Sequence, residues 1–415
     1  MRRQTFAALL LIVGATSLAS SQAVRLRVER REPVLGGKSF GAAGSYEKLV
    51  GTVELTFDPT LAANAGIVDL ALAPRNADGK VEARADFYLL KPVDPAKGNG
   101  RLFCEVGNRG GKAILSTFQQ ASGSADPTTA AEYGDGWLME QGFTLLWMGW
   151  QWDVPEGRMR MAIPIATDSG RPITGLVRGN FIPNARVDSQ SLADRGHRGY
   201  PVADPASAEH VMTVRANRTD APVVVPRARW RFVGDWTVRL DGGFEPGMIY
   251  DVVYRAKEPR VVGSGLAGIR DLVSFFKYEK GSANPIPTIR YAIGWGVSQT
   301  GRFLRHFIYQ GFNADAQGRR VFDGVIDERG GAGRGSFNHR FAQASRDALE
   351  HYNMLYPVDM FPFTDGTERD PATGARDGLL ARAERDGPQA VPRPHELRVL
   401  QPRRFARAYR SGGRT

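Results

Sequence analysis

Residues 288–313, TIRYAIGWGVSQTGRFLRHFIYQGFN, restrict the fold of this chain more than any other stretch. Tyr291, Ala292 and Ile293 form a short apolar run, as a buried strand does. Gly294 and Gly296 follow, then Ser298. From Gln299 onward Phe303, Leu304, Phe307 and Ile308 recur at helical spacing. A strand that becomes a helix within so few residues must turn sharply, and the residues flanking the turn must be small. A serine at such a turn presents its hydroxyl at the end of the sheet, beside the free N–H groups of a helix N-terminus. Ser298 is therefore a candidate nucleophile, and the Gln299 N–H a candidate oxyanion donor. The competing expectation is a serine that merely caps the helix.

The surrounding sequence alternates in the same way. Residues 24–94 read as β-rich: KLVGTVELTF and VEARADFYLL alternate apolar and polar side chains. RLFCEVGNRGG reads as a buried strand entering a Gly-rich turn, TAAEYGDGWLMEQG as a helix ending at Gly142, and FTLLWMGWQWD as a central parallel strand. Strand, helix, strand predicts a right-handed βαβ unit. The turn GNRGGK offers Asn108, Arg109 and Gly110 as further oxyanion donors, against the plainer reading of a strand-end turn. Residues 154–262 lack helical periodicity and read as a β-rich insertion or cap. In SGLAGIRDLVSFFKYEKG, Leu266, Ile269, Val273 and Phe276 share a helix face and Ser264 can cap its start. RVFDGVIDERGGAG reads as another strand, ending at Asp327 and Glu328. The aromatic run WMGWQW is either strand core or a sugar platform.

Composition matters at the two ends. MRR, a 14-residue apolar run and SQA read as a signal peptide over residues 1–23, which implies export to a periplasmic or extracellular location. Cys104 is the only cysteine, so no intrachain disulfide can form. One Cys and six His in no metal-binding spacing predict neither metal nor cofactor. The net charge of +11 is concentrated in Arg2, Arg3 and in residues 388–415, where seven Arg face one acid, Glu396. That distribution argues against a nucleic-acid-binding face. No later segment is apolar enough to span a membrane.

With the phrases EVGNRGGK, GWGVSQTGRFLRHFIYQGFN, FDGVIDERGGAGRGSFNHRF and ADFYLLKPVDPAKGNGR, the chain resembles the bacterial alpha/beta hydrolase domain-containing proteins, which are large, often exported and mostly without assigned substrates. The resemblance runs from about Arg30 to Gly387. It implies an α/β fold with a mostly parallel sheet, interrupted by the β-rich insertion, and a serine hydrolase acting on a small ester-like substrate. The elbow departs from G-x-S-x-G in having Thr300 at the last glycine. The expected parts are a signal peptide (1–23), a first α/β segment (24–153), the insertion (154–262), a second α/β segment (263–387) and an irregular basic tail (388–415).

Such hydrolases order their triad as Ser, acid, His. Acid and His should follow the strand after VFDGVID, but residues 388–415 show no strand or helix pattern. Suitable codons for this tail, shifted by one base, can encode KLFHGHTSYEYCSRGGSLAHTD, which contains phrases associated with the family. The tail therefore reads as a frameshift or truncation that removes the last strands; the alternative is a genuine basic tail. Within the remaining chain, Asp327 or Glu328 with His339 would complete a compact triad with Ser298; the blander reading gives these residues local structural roles. The rival to an active hydrolase is a catalytically incomplete scaffold that at most binds ligand.

Overall fold

A computed structural model describes residues 23–193, 195–331, 333, 335–346, 361–381 and 398–399. The alternating pattern near the N-terminus becomes three antiparallel strands, β1 (Val24–Pro33), β2 (Tyr46–Phe57) and β3 (Val81–Pro92). The apolar runs become β4 (Arg101–Glu105) and β5 (Thr144–Met148), parallel to each other, with β5 also antiparallel to β3. Every residue of β5 is buried, as befits a strand covered on both faces.

Three short helices lie between β4 and β5: α1 (Ile114–Phe118), α2 (Ala130–Tyr133) and α3 (Trp137–Glu140). The single helix expected over residues 129–142 is thus two. Gly134 (φ 67°) and Gly136 (φ 76°) break it, and a Cβ at Gly134 would stand 1.9 Å from the Gln119 carbonyl oxygen. Only glycine lets the chain pass there.

The insertion is built of strands: β6 (Met161–Ala162), β7 (Thr167–Asp168), β8 (Arg171–Pro172), β9 (Thr174–Phe181), β10 (Val187–Ser191), β11 (Val211–Arg215), β12 (Val223–Val225), β13 (Trp230–Phe232), β14 (Thr237–Phe244) and β15 (Ile249–Lys257). They form a four-stranded sheet in the order β12-β11-β15-β9, a three-stranded sheet β10-β14-β13 and a β7–β8 hairpin, while β6 joins β3. The α/β pattern resumes with α4 (Ser264–Tyr278), β16 (Tyr291–Val297), α5 (Gln299–Tyr309) and β17 (Gly324–Glu328). Ser264 is the first helical residue and not the cap of α4. Gly263 holds that position, where a Cβ would lie 2.2 Å from Asn338 Oδ1. A small hairpin, β18 (Glu368–Arg369) with β19 (Arg376–Asp377), follows. Arg398 and Val399 form β20, parallel to Gly324 and Val325 of β17. The tail expected to hold no strand therefore contributes two paired residues, too few to leave a period in the sequence.

The central sheet runs β1-β2-β3-β5-β4-β16-β17-β20, with every pairing from β5 to β20 parallel. Successive strand residues face opposite sides. Leu102, Cys104, Leu146, Met148, Ala292 and Val325 join the core that includes Leu266 and Ile269 of α4 and Phe303 and Phe307 of α5. Phe103, Leu145, Trp147, Trp295 and Ile326 pack with Ile114 and Phe118 of α1 and Leu138 of α3. Trp147, Trp150 and Trp152 are buried in these cores, the strand-core role of the two that their sequence allowed. No helix among the described residues is long and apolar enough to cross a membrane.

Candidate active site

β16 delivers Ser298 to the sheet's C-terminal end, and α5 starts at the next residue. Ser298 has φ 56° and ψ −112°, outside the regions that a non-glycine residue ordinarily occupies. Its neighbours force this turn. A Cβ at Gly296 would lie 2.4 Å from the Thr300 carbonyl oxygen, and one at Gly301 would lie 2.1 Å from Asp327 Oδ1. Ser298 N–H donates to the Glu328 carbonyl at 2.8 Å, which fixes the turn to the end of β17. Thr300, where the motif has glycine, is fully buried and closes the turn: Val297 N–H donates to its Oγ1 (3.0 Å), which in turn donates to Val297 O (3.2 Å). The capping role proposed for serine is absent, since the Ser298 side chain makes no cap hydrogen bond and is exposed. The Gln299 N–H, in the first turn of α5, has no intrahelical acceptor.

The Gly107–Gly111 loop follows β4, the immediate neighbour of β16. Asn108–Gly110 is a tight turn with Arg109 at φ 50° and Gly110 at φ 70°. Asn108 Nδ2 donates to Val297 O at 3.4 Å, so loop and elbow touch directly. Trp150 Nε1 donates to Gly107 O at 2.8 Å and holds the loop from below. Beneath it lies Glu105, fully buried. Its carboxyl accepts from the backbone N–H groups of Ala113 (2.8 Å) and Ile114 (2.9 Å) and from Trp147 Nε1. Burial pushes Glu105 up to about 7, against those hydrogen bonds.

The two acids at the end of β17 point to opposite faces of the sheet. Asp327 sits under α5, against Gly301 and Gly330, with Arg305 Nη1 3.9 Å from Oδ2. Burial raises its pKa and Arg305 opposes the rise. Glu328 lies on the other face, accepting from Trp295 Nε1 (3.3 Å) and Arg329 Nη2 (2.9 Å). His339 Nδ1 is 3.1 Å from Arg340 O, and burial lowers its pKa. Its neighbours are anchored elsewhere: Asn338 donates to Gln310 Oε1 (2.7 Å) at the far end of α5, and Arg340 pairs with Asp69. The axis from Ser298 to Gln310 is about 18 Å long. Among the described residues no side-chain hydrogen bond joins Ser298, Asp327, Glu328 and His339; Ser298 and Glu328 meet only through their backbones. β-strand alternation sends the two acids to opposite faces of the sheet, and the 338–340 turn docks low on α5. His306 is buried in mid-helix against the Phe337 ring, a packing role. His351 and His395 lie outside the described residues, and no Asp, Glu or His stands between Leu397 and Thr415.

One part of the site left no motif. Residues 342–345 are bonded from three directions. Tyr200 OH donates to Ala342 O (2.6 Å), Gln343 Nε2 to Arg198 O (2.8 Å), Gln299 Nε2 to Ala344 O, and Arg109 Nη2 to Ser345 O (3.2 Å). Ser345 Oγ donates to Asp153 Oδ2; this carboxyl is wholly buried, and burial raises its pKa. The insertion, the elbow and the Gly-rich loop thus meet on four residues. Only the burial of a carboxyl directly after WMGWQW could have signalled it, and burial is not written in sequence.

Comparison with family models matches residues 264–378 to one described as an alpha/beta hydrolase domain. Comparison with curated proteins gives no match. Among solved structures the chain is similar to a glucuronoyl esterase from Solibacter usitatus, with 14% identity, a TM-score of 0.26, and coverage of 75% of this chain and 57% of that one. The chain thus spans little more than half of that structure's length, and so distant a likeness carries no argument about function. The matched segment contains α4, β16, the elbow, α5 and β17, so this part of the chain, set on a mixed, centrally parallel sheet, is similar to an alpha/beta hydrolase domain.

Proposed function

We propose that this protein is a serine hydrolase acting on a carboxylic ester or related acyl bond of a small molecule, with Ser298 as nucleophile. The observation that carries the reading is the state of Ser298: exposed, at positive φ, and not capping the helix it precedes. Backbone strain of this kind costs on the order of 1–3 kcal/mol and persists where function requires it. Attack by Oγ on the acyl carbon would develop negative charge on the carbonyl oxygen. The Gln299 N–H and the Asn108–Gly110 turn are the donors proposed to receive it. Asn108 is the residue that ties that turn to the strand before Ser298.

The proton of Ser298 needs a base. Asp327, Glu328 and His339 are candidates by order in the sequence, and their separate hydrogen-bond partners favour positioning roles for all three. This same observation supports the second reading, a scaffold that binds ligand without turnover. A fluorophosphonate probe and a panel of p-nitrophenyl esters separate the two. Labelling and turnover that disappear in Ser298→Ala establish the hydrolase; an intact, folded protein that is neither labelled nor active leaves the scaffold.

A further inference from the structure

Next to the Gly-rich loop lies a cavity of about 350 Å³, on the β1–β2–β3 side of the sheet. Lys112, Arg158 and Arg160 line it, together with Tyr88, Thr52 and Asp126. Its charges are unevenly satisfied. Asp126 is bonded by Arg30 (2.8 Å), Lys48 (2.8 Å) and the Tyr88 hydroxyl (3.1 Å). Asp86 accepts from the Arg160 backbone N–H at 2.9 Å, and Glu29 is exposed. None of the Lys112, Arg158 and Arg160 side chains hydrogen-bonds or pairs with a carboxylate among the described residues. Lys112 Nζ has only Met159 Sδ at 3.9 Å and the face of the Tyr88 ring, 4.2 Å from its centroid. Arg160 Nη1 is buried with no hydrogen-bond partner. Arg158 leans on the loop itself: Cβ atoms at Gly110 and Gly111 would lie 2.9 Å from its Cβ and 3.8 Å from its Nη1.

We propose that this cavity binds a small molecule through a phosphate or carboxylate group held by Lys112, Arg158 and Arg160. Three cationic side chains with no hydrogen-bonded carboxylate line a space larger than a single ion needs; Asp126 and Glu105 act on Lys112 through their charge alone. Guanidinium forks match the oxygens of such groups in a bidentate manner. An unpaired, partly buried cation is unfavourable, and burial already pulls Lys112 down to about 8; a bound anion would offset that cost. Cross-strand pairing puts Tyr88, Trp147, Glu105 and Trp295 in one row, so the cavity floor is three strand spacings, about 14 Å, from the strand that carries Ser298. The cavity is thus a separate anchoring point beside the elbow, and its occupancy does not depend on Ser298 being a nucleophile.

The experiment is calorimetric titration of the full protein, and of Ser298→Ala, with inorganic phosphate and with malonate, against sodium chloride of matched ionic strength. Saturable binding of either anion beyond the chloride control is expected, unchanged in Ser298→Ala. Arg158→Ala and Lys112→Met should each weaken it about tenfold or more. Arg158 is exposed, so its replacement tests the site even if Lys112→Met fails to fold. Stronger binding of phosphate or of malonate tells which group the site prefers. Binding no better than chloride, or binding undiminished in Arg158→Ala and in a folded Lys112→Met, overturns the proposal.

Discussion

Gly301→Ala sets helix propensity against packing. Gly301 is the third residue of α5, and alanine is preferred over glycine inside helices by about 0.8–1.0 kcal/mol. Propensity alone therefore predicts a stabilised protein. The structure predicts the reverse. A Cβ at this position would stand 2.1 Å from Asp327 Oδ1 and 2.8 Å from Gly330 Cα, closer than atoms of these types approach. Neither neighbour can yield easily: one is backbone, and the other is a buried carboxyl enclosed by Gly301, Gly330 and Arg305. Overpacking of this kind costs about 1–3 kcal/mol, occasionally more. After subtracting the propensity gain, Gly301→Ala should destabilise by up to about 2 kcal/mol, read as a lower urea midpoint with an unchanged slope. Asp327→Ala removes the closer of the two obstacles. The double variant should therefore be more stable than the sum of the single effects by about 1 kcal/mol, the coupling expected of residues in contact. A Gly301→Ala protein as stable as the parent, or strictly additive variants, would refute the claim that Asp327 braces the elbow.

Ser298→Gly should raise stability by about 1 kcal/mol, because glycine adopts the backbone angles of this position without strain, while abolishing fluorophosphonate labelling; chemical denaturation and gel fluorescence read the two effects. His339→Ala and Asp327→Asn should retain labelling within about threefold, whereas a loss of about a hundredfold or more would restore either residue to the proton relay. For Glu105 the folded pKa of about 7 lies above the ordinary 4.5, so the native state binds the extra proton in that interval. Its contribution is complete below pH 4.5 and is lost as pH rises through 7, a fall of up to about 3 kcal/mol. Glu105→Gln should flatten that part of the stability–pH curve, because an amide does not titrate; parallel curves for both proteins would contradict this.

The elements that carry a long period were legible in the sequence. β2, β3, α4 and α5 follow from the spacing of their apolar residues, and the elbow from its glycines. What was not legible depends on which atoms approach across the fold. The break at Gly134 comes from the Gln119 carbonyl, far enough away in sequence to leave no local signal. The displacement of Ser264 from its cap comes from Asn338, and the role of Thr300 from a hydroxyl that reaches back to Val297. The triad reading shows the same limit. Order along the chain allowed Asp327, Glu328 and His339 to meet Ser298, but order says nothing of the sheet face. Adjacent strand residues cannot share one, so at most one of the two acids could have served.

The four residues 342–345 have a consequence for how such a chain can be rebuilt. Their hydrogen bonds go to Arg198 and Tyr200 of the insertion, to Asp153 at its base, and to Arg109 and Gln299 around the elbow. A chimaera that exchanged only the insertion for that of a relative would leave the Ala342 carbonyl without the Tyr200 hydroxyl and the Gln343 amide without the Arg198 carbonyl. The insertion is therefore no detachable cassette. It is bonded to a strip of chain some eighty residues downstream, and the two would have to be transplanted together to keep these contacts.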